Sequence, residues 1–454
     1  MAKLFGTDGI REKANTKLTI DKAIKVAQAG ASVLTQAFAS GGDRPRIAIA
    51  WDPRLSSDML VSALCAGFCS VGADVIKLGV LPTSGLPVLM RLHKATAGVM
   101  VSASHNSFED NGIKFFTGEG HKLPDEIEAE IEAAYHAIDE IKLPEGEHLG
   151  RILFFDSPKS DYVKFLLDCV DNVDLSAFSF ALDCANGATF ATAPQAFESL
   201  GAKVLTIGNQ PDGININNNC GSTHMDSLVN FVKNNRVSAG FAFDGDGDRC
   251  FAVDENGCVI DGDQIMSIIA MQMKQEGRLS HDTVISTVMA NLGFAIAASE
   301  QGIKLEQVKV GDRYVLERMK EGGFKLGGEQ SGHIILAEHQ TTGDGILSAL
   351  VLAQIMAKTG KKLSELNTVM TKLPQVIVNA KVANEHKTAI MENPAILALL
   401  AESDAKFAGR GRVLVRPSGT ESLIRVMIEG ENIEEITKEA EKLARILEGT
   451  GEKL

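Results

Sequence analysis

Two short segments contain residue types that can carry out chemistry. The first reads Ser102-Ala103-Ser104-His105-Asn106 and places a hydroxyl beside an imidazole on a turn of small residues. The second reads Asp244-Gly245-Asp246-Gly247-Asp248-Arg249 and places three carboxylates at alternate positions, with glycines that let the backbone bend around an ion. A hydroxyl that can carry phosphate and a carboxylate group suited to a hard divalent cation together indicate phosphoryl transfer.

The acidic segment also resembles the start of an EF-hand calcium loop. Arg249, however, stands where that loop requires glycine, and the flanking segments 240–243 and 250–253 read as strands rather than helices. We therefore exclude the EF-hand. Three acids this close repel one another unless a cation neutralises them, so a metal site is predicted, with an acidic surface turn as the alternative. The predicted ligands are Asp244, Asp246 and Asp248.

The serine segment follows the apolar run 98–101, so we expect Ser104 just past the C-terminal end of a strand. Ligand crevices of open α/β sheets lie at that edge. A serine there can be a nucleophile or a phosphate carrier, whereas an ordinary polar turn is the alternative for a lone Ser-His pair. Lys114, ten residues farther on, is either a general acid or base or a surface lysine.

Further segments offer groups that bind sugars or phosphates. Gly328-Glu329-Gln330-Ser331-Gly332-His333 combines donors, acceptors and a titratable ring, which suits sugar hydroxyls. Arg416-Pro417-Ser418-Gly419-Thr420 combines a guanidinium, two hydroxyls and free backbone amides, which suits a phosphate. Arg11 and Arg54 are two further basic groups. The alternative for each segment is a solvated polar turn.

A strand, loop, helix, glycine and strand recur in that order along the chain. The pattern occupies 47–76, 178–205 and, more weakly, 284–305. It is typical of βαβ units and predicts three related α/β domains with parallel sheets and helices on both faces. The tail differs, because strands at 411–416 and 422–428 flank a tight turn and a helix follows, which predicts a small α+β domain. The apolar face of that helix consists of Ile433, Ile436, Ala440, Leu443 and Leu447.

Composition limits the partners and the compartment. The formal net charge of −14 argues against binding to nucleic acid or to an anionic membrane. Seven scattered cysteines without a CxxC pair predict reduced thiols. Residues 1–11 lack the apolar region of a signal peptide, and the apolar stretch 60–73 is too short to span a bilayer. We therefore expect a cytoplasmic protein whose partner is a small molecule.

Taken together, these segments resemble the α-D-phosphohexomutase family over essentially the whole chain. The motifs that carry the resemblance are, in chain order, Phe5-Gly6-Thr7-Asp8-Gly9-Ile10-Arg11, Ser102 to Asn106, Asp244 to Arg249, Gly328 to His333 and Arg416 to Thr420. Two positions depart from the family pattern, since Ser107 and Ser422 stand where proline is usual or frequent. Neither departure removes a chemical group.

The resemblance implies an α/β fold around a central cleft. Three tandem related α/β domains with mainly parallel mixed sheets would precede a C-terminal α+β domain. The expected domains are 1–157 with the phosphoserine loop, 158–257 with the metal-binding loop, 258–373 with the sugar-binding loop, and 374–454 with the phosphate-binding loop. We place the linker to the last domain near residues 373–375.

The resemblance also implies a role for each candidate residue, with Ser104 as the phosphorylated serine. The implied ligands of one Mg²⁺ per subunit are Ser104, Asp244, Asp246 and Asp248. The implied catalytic residues are Ser104, Lys114, Arg249 and His333. Arg249 would steady the transferring phosphate, and which of Lys114 and His333 is the acid or the base is open. The implied substrate-binding residues are Arg11, His105, Glu329, Ser331, Arg416, Ser418, Gly419 and Thr420.

Within the family, the chain is most similar to the branch that interconverts glucosamine 6-phosphate and glucosamine 1-phosphate. The implied route passes through a phosphoserine and a 1,6-bisphosphate intermediate and supplies the synthesis of UDP-N-acetylglucosamine. Glucosamine or glucose 1,6-bisphosphate would be the activator, and a homodimer is the implied assembly. The alternative is the branch acting on mannose and glucose phosphates, which more often has methionine where Gln330 stands.

Overall fold

The computed structural model describes residues 4–6, 8–38, 44–418 and 421–451, and the backbone alone for 35–38. It divides into two compact units. The first comprises residues 1–288 and 306–368, and the second comprises residues 289–305 and 369–454.

The first part of the first unit contains a six-stranded mixed sheet in the order β1-β5-β4-β2-β3-β6. β4 lies between β2 and β5, parallel to the first and antiparallel to the second, and all five of its residues are buried. Its continuous apolar run is what a strand covered on both faces requires. The elements are β1 (Ile10–Lys13), α1 (Ile20–Phe38), β2 (Arg46–Trp51), α2 (Leu55–Ser70), β3 (Asp74–Val80), α3 (Gly85–His93), β4 (Ala97–Val101), β5 (Asp110–Thr117), α4 (Asp125–His136) and β6 (Ile152–Phe154).

A five-stranded sheet follows, in the order β11-β10-β9-β7-β8. β7 is parallel to both β8 and β9, whereas β9 and β10 form an antiparallel pair whose connection is the acidic segment 244–249. The elements are α5 (Pro158–Cys169), β7 (Ser179–Asp183), α6 (Thr192–Ser199), β8 (Lys203–Ile207), α7 (Asp226–Asn235), β9 (Ala239–Phe243), β10 (Cys250–Asp254) and β11 (Val259–Ile260).

The third sheet has the order β13-β12-β14-β15, with β14 parallel to β12 and antiparallel to β15. The elements are α8 (Gly262–Gln275), β12 (Thr283–Thr287), α9 (Leu292–Glu300), β13 (Lys304–Val308), α10 (Asp312–Gly322), β14 (Leu326–Gly328), β15 (Ile334–Leu336), α11 (Gly345–Thr359) and α12 (Leu363–Leu366). α9 belongs to the second unit. The three α/β regions predicted from the repeated pattern are therefore confirmed, each with a mixed sheet.

The rest of the second unit is built on an antiparallel sheet in the order β16-β18-β17. The sequence predicts β17 and β18 but not β16, which begins where the linker is expected. The elements are β16 (Gln375–Lys381), α13 (Lys387–Met391), α14 (Pro394–Phe407), β17 (Gly411–Pro417), β18 (Leu423–Gly430) and α15 (Ile433–Gly451). α15 buries the predicted apolar face except Ile433, which is half exposed at the first residue of the helix.

All seven cysteines are free thiols. Among the described residues, no helix combines the length and the apolar character needed to cross a membrane.

Candidate active site

Ser104 lies three residues past the end of β4, at the carboxyl edge of the first sheet. It is 2% exposed and has a left-handed backbone with φ of +51°, a conformation that serine rarely adopts. Its Oγ donates a hydrogen bond of 2.7 Å to Oδ2 of Asp244 and lies 3.3 Å from Nδ1 of His105. The structure therefore brings the serine segment and the acidic segment together.

Asp244, Asp246 and Asp248 form one buried carboxylate group at the end of β9, with one oxygen from each within 4.8 Å of the others. Burial and the charges of Asp248 and Asp246 raise the pKa of Asp244 well above its ordinary value. Oδ1 of Asp246 and Oδ1 of Asp248 are buried without a hydrogen-bond partner in the described structure. Orphaned carboxylate oxygens in a group of like charges fit a hard divalent cation, so these residues are suited to Mg²⁺.

The glycines of the acidic segment permit its close approach to the serine. A Cβ on Gly245 would lie 2.4 Å from the carbonyl oxygen of Ser104. Gly247 has φ of +72°, a conformation that favours glycine. The alternation of acid and glycine is thus required by contact between the two loops as well as by the curvature of the turn.

Lys114 lies on β5, opposite Met100 of β4, and its side chain is buried beside the carboxylates. Its Nζ lies 2.9 Å from Oδ2 of Asp246 and 3.0 Å from Oδ2 of Asp8. Burial opposes the charged form, but the two carboxylates raise the pKa of Lys114 above its ordinary value. The group therefore favours the ammonium form, which can neutralise charge or donate a proton.

Asp8 connects several of the cations around the site. Its carboxylate lies 2.6 Å from Arg11 and 2.6 Å from Lys122, and Lys122 lies 2.6 Å from Asp312 at the start of α10. Burial acts to raise the pKa of Asp8, yet the neighbouring Lys114, Lys122 and Arg11 hold it well below its ordinary value. Sequence reasoning identified Arg11 but missed Asp8, Lys122 and Asp312, because their pairing spans up to 190 residues.

His333 occupies the end of the loop between β14 and β15 and forms a backbone bridge with Arg249. The N–H of Gly343 donates to its Nε2 at 3.0 Å, which places the proton of the neutral ring on Nδ1, 3.3 Å from Oδ2 of Asp248. Burial acts to lower the pKa of His333, whereas Asp248 and Asp312 raise it above its ordinary value. Both ring nitrogens therefore face protein groups, and the ring orients Asp248.

The remaining candidates of this loop and of the acidic segment have free hydrogen-bonding capacity. Nε of Arg249 and Oγ of Ser331 are buried without a hydrogen-bond partner in the described structure, although Nε of Arg249 lies 3.8 Å from Oδ1 of Asp248. Glu329 accepts a hydrogen bond of 3.1 Å from the N–H of Gly311. A cavity of about 260 Å³ adjoins His333 and is lined also by Lys122 and Asp312. Arg249, Glu329 and Ser331 do not line this cavity.

His105 is exposed beside Ser104. Partial desolvation of the exposed ring, together with the charges of Arg249 and Arg11, lowers the pKa of His105 to about 4. The ring is therefore neutral at neutral pH. It can donate or accept a hydrogen bond but adds no positive charge for a phosphate.

Arg54 does not have the position expected of a basic group for phosphate. It is 2% exposed, and its guanidinium donates hydrogen bonds to Asp52 and to three backbone carbonyls within the protein.

Thr83 is a residue of the site that sequence reasoning missed. Its Oγ1 donates a hydrogen bond of 2.7 Å to Oδ2 of Asp246 and so fixes one carboxylate of the acidic group. The only signal for Thr83 is its position between β3 and α3, which many polar residues share.

The predicted phosphate-binding loop joins β17 and β18 in the second unit. Burial and the charge of Arg425 lower the pKa of Arg416 from its ordinary value. Oγ of Ser418 accepts from the N–H of Glu421 at 3.2 Å, and its carbonyl accepts from Lys387 at 2.7 Å. Gly419 and Thr420 lie outside the described residues.

Models of four protein domains match this chain in succession. They are described as phosphoglucomutase/phosphomannomutase α/β/α domains I, II and III, over residues 2–142, 160–257 and 261–373, and as the C-terminal domain of the same proteins, over residues 377–446. The matches follow the order of the four candidate loops.

Full-length relatives also resemble the chain. The phosphoglucosamine mutases of Acetivibrio thermocellus and Clostridium novyi are 50% and 51% identical to it, in alignments that cover 99% of each chain.

Among solved structures, a phosphoglucomutase/phosphomannomutase family protein from Burkholderia thailandensis matches with a TM-score of 0.80 at 23% identity, covering 98% of both chains. The N-acetylphosphoglucosamine mutase of Aspergillus fumigatus, solved with GlcNAc-6P and magnesium, matches with a TM-score of 0.68 at 18% identity, covering 99% of this chain and 96% of that one. At these identities the two structures establish the fold.

Proposed function

Because this chain belongs to the phosphoglucomutase/phosphomannomutase family, the α-D-phosphohexomutases, we propose that it interconverts glucosamine 6-phosphate and glucosamine 1-phosphate. The observation that carries the reaction type is the hydrogen bond of 2.7 Å from Ser104 Oγ to Asp244, within a buried group of three carboxylates. The choice of sugar is supported by the full-length similarity, at about half identity, to phosphoglucosamine mutases.

The proposed reaction moves one phosphoryl group twice. Ser104, as phosphoserine, gives its phosphoryl group to the free hydroxyl of the sugar phosphate. The sugar hydroxyl loses its proton as the 1,6-bisphosphate forms, and Ser104 Oγ takes up a proton as its bond to phosphorus breaks. The intermediate then turns over, and Ser104 Oγ takes the phosphoryl group from the other end. Ser104 Oγ loses its proton in this step, and the sugar oxygen released from phosphorus takes up a proton to become the product hydroxyl. The nearest acceptors for the Ser104 proton are Oδ2 of Asp244 and Nδ1 of His105.

We propose that Asp244, Asp246, Asp248 and a phosphoserine oxygen hold one Mg²⁺. When bound, the ion would offset the negative charge that accumulates on the transferring phosphoryl group. The protein contributes the rest of that charge balance through the Lys114 ammonium and the Arg249 guanidinium, both of which stay protonated beside the carboxylates.

The substrate is held, in this proposal, by polar groups around the serine. Ser331 Oγ and Arg249 Nε have unused donors, and Glu329 supplies an acceptor for sugar hydroxyls. His105 follows Ser104, and Nη1 of Arg11 donates a hydrogen bond of 3.4 Å to Oδ1 of Asn106 in the same loop. Both residues are proposed to contact the reacting end. Arg416, Ser418, Gly419 and Thr420 are proposed to bind the phosphate that is not reacting. Glucosamine or glucose 1,6-bisphosphate is the proposed activator, and a homodimer the proposed assembly.

Turnover of three sugar phosphates tests the proposed substrate. The rates with glucosamine, glucose and mannose 6-phosphates are compared with one another, each measured in the presence of Mg²⁺ and a trace of glucose 1,6-bisphosphate. We expect the highest kcat/KM for glucosamine 6-phosphate by at least tenfold, about 1.4 kcal/mol of transition-state discrimination. Equal or better turnover of glucose or mannose phosphate would leave the mechanism in place and assign the chain to the other branch of the family.

A further inference from the structure

The backbone N–H and the carbonyl of Ser104 are both held by side chains of other residues, separately from the contacts of its Oγ with Asp244 and His105. Its N–H donates to Oγ of Ser102 at 2.9 Å. Its carbonyl accepts from Nη2 of Arg54 and from Nδ2 of Asn217, both at 2.9 Å. Because Ser104 has a positive φ, these bonds must hold a conformation that an unrestrained serine would leave.

Arg54 and Asn217 bind the same two carbonyls from different sides. Besides the carbonyl of Ser104, both donate to the carbonyl of Asn106, at 2.9 Å from Arg54 and 3.0 Å from Asn217. Arg54 precedes α2 in the first α/β region, whereas Asn217 lies in the loop between β8 and α7 of the second. The serine loop is therefore clamped between two regions of the first unit.

Asp52 completes this arrangement and fixes its charge. Its Oδ2 accepts from Nε of Arg54 at 2.9 Å and from Oγ of Ser102 at 2.5 Å, and all three residues are buried. Asp52 and Arg54 thus form a buried ion pair. Arg54 is thus occupied by the protein and does not compete with Lys114 and Arg249 for phosphate.

We propose that Arg54 and Asn217 are positioning residues of the phosphoryl transfer. They hold the carbonyls of Ser104 and Asn106 so that Ser104 Oγ points at Asp244, without touching substrate or the transferring group. The expected fall in kcat rests on the proposed function, whereas the expected ordering of the serine loop does not. A misplacement of about 1 Å at a reacting atom costs on the order of 10²-fold in rate.

The test uses two variants, Arg54→Lys and Asn217→Ala. Arg54→Lys keeps the positive charge opposite Asp52 but loses the planar guanidinium that donates to several carbonyls at once. Gln354→Ala is the matched control, because Gln354 is a buried amide that donates to the carbonyl of Val170 away from the site. We expect each positioning variant to lower kcat about 10- to 100-fold, with KM for the sugar phosphate within about threefold of wild type. Gln354→Ala should keep the wild-type kcat.

A double variant gives a sharper form of the same test. Since Arg54 and Asn217 hold the same two carbonyls, the combined loss in kcat should be smaller than the product of the two single losses. A raised KM with unchanged kcat would overturn the proposal by making Arg54 a substrate-binding group. An equal loss in Gln354→Ala would overturn it by showing that any lost buried hydrogen bond has this effect.

Amide hydrogen exchange gives a second readout that needs no turnover. Exchange in residues 102–107 should be faster in Arg54→Lys and in Asn217→Ala than in wild type and in Gln354→Ala. Unchanged protection of that segment in both variants would contradict the proposal. Absence of mutase turnover in the wild-type protein would instead refute the proposed function, and the exchange experiment would still decide this inference.

Discussion

Ser104 and Asp244 are 140 positions apart in the chain, yet Ser104 Oγ donates a hydrogen bond of 2.7 Å to Oδ2 of Asp244. The contact places a hydroxyl that can carry phosphate directly against a buried group of three carboxylates. Chemistry at this point requires the hydroxyl, the charge of the carboxylates and the close approach of the two loops. Each of these requirements gives a separate prediction.

Ser104→Ala should abolish nearly all mutase turnover, because no group then carries the phosphoryl between the two ends of the sugar. We expect a loss in kcat of at least about 10³-fold. Ser107→Ala is the control, since Ser107 lies in the same loop with an exposed side chain and its carbonyl contact with Arg54 survives the change. Near wild-type turnover of Ser104→Ala would rule out a phosphoserine at this position.

Asp246→Asn should raise the Mg²⁺ concentration that gives half-maximal activity by at least about tenfold, since it removes one charge from the proposed metal ligands. It also weakens the pairing with Lys114. Magnesium titration of activity after removal of metal with a chelator measures the shift. Asp254→Asn is the control, because Asp254 is a buried acid of β10 outside the carboxylate group. An unchanged magnesium dependence in Asp246→Asn would place the metal elsewhere.

Gly245→Ala should disturb the contact between the two loops, since the added Cβ would lie 2.4 Å from the Ser104 carbonyl and 2.8 Å from Nδ2 of Asn217. The first neighbour is backbone, and the second is a side-chain nitrogen held by hydrogen bonds to the carbonyls of Ser104 and Asn106. We expect kcat to fall on the order of 10²-fold. Gly449→Ala, at a helical position of α15 with no atom within 4 Å of the new Cβ, should leave kcat unchanged. Full activity of Gly245→Ala would show that the close approach is dispensable.

Tyr162→Phe should destabilise the first unit without altering the chemistry. The phenol is buried. Its hydroxyl donates a hydrogen bond of 2.9 Å to Oδ2 of Asp344 and lies 2.8 Å from Oγ of Ser84. Because Asp344 keeps its bond from Gln340, we expect a loss of about 1–2 kcal/mol in the free energy of unfolding. Thermal or denaturant unfolding measures it, with Tyr314→Phe as the exposed control. Equal stability of the Tyr162 and Tyr314 variants would contradict this role.

Local pattern predicts the parts of the molecule that depend on neighbouring residues. The apolar run before Ser104 and the strands on either side of Asp244 are found as β4, β9 and β10. Residue type and spacing were enough to suggest the carboxylate group, because three acids at alternate positions with glycines between them repel one another unless a cation neutralises them. The helical spacing of the tail likewise predicts α15, apart from the exposed first residue Ile433.

Pairings over long distances are beyond this kind of reasoning. From the sequence, Arg54 is only a basic residue in a turn. The structure shows that its guanidinium donates hydrogen bonds to Asp52 and to the serine loop. Asp8 and Lys122 are unremarkable in sequence, since their ion pair depends on contacts between segments 114 residues apart. β16 is missed although it contains the apolar run Val376-Ile377-Val378, because a run this short between Gln375 and Asn379 does not by itself distinguish a strand from the linker expected there.

Transfer of phosphate from Ser104 to the sugar tests the central claim most directly. The protein is first incubated with glucose 1,6-bisphosphate and Mg²⁺, freed of small molecules, and its intact mass is measured before and after addition of glucosamine 6-phosphate. The account predicts one added phosphate on Ser104, which glucosamine 6-phosphate removes as the bisphosphate sugar forms. Persistent absence of phosphate on Ser104, or a phosphoserine that the sugar phosphate cannot discharge, would contradict it.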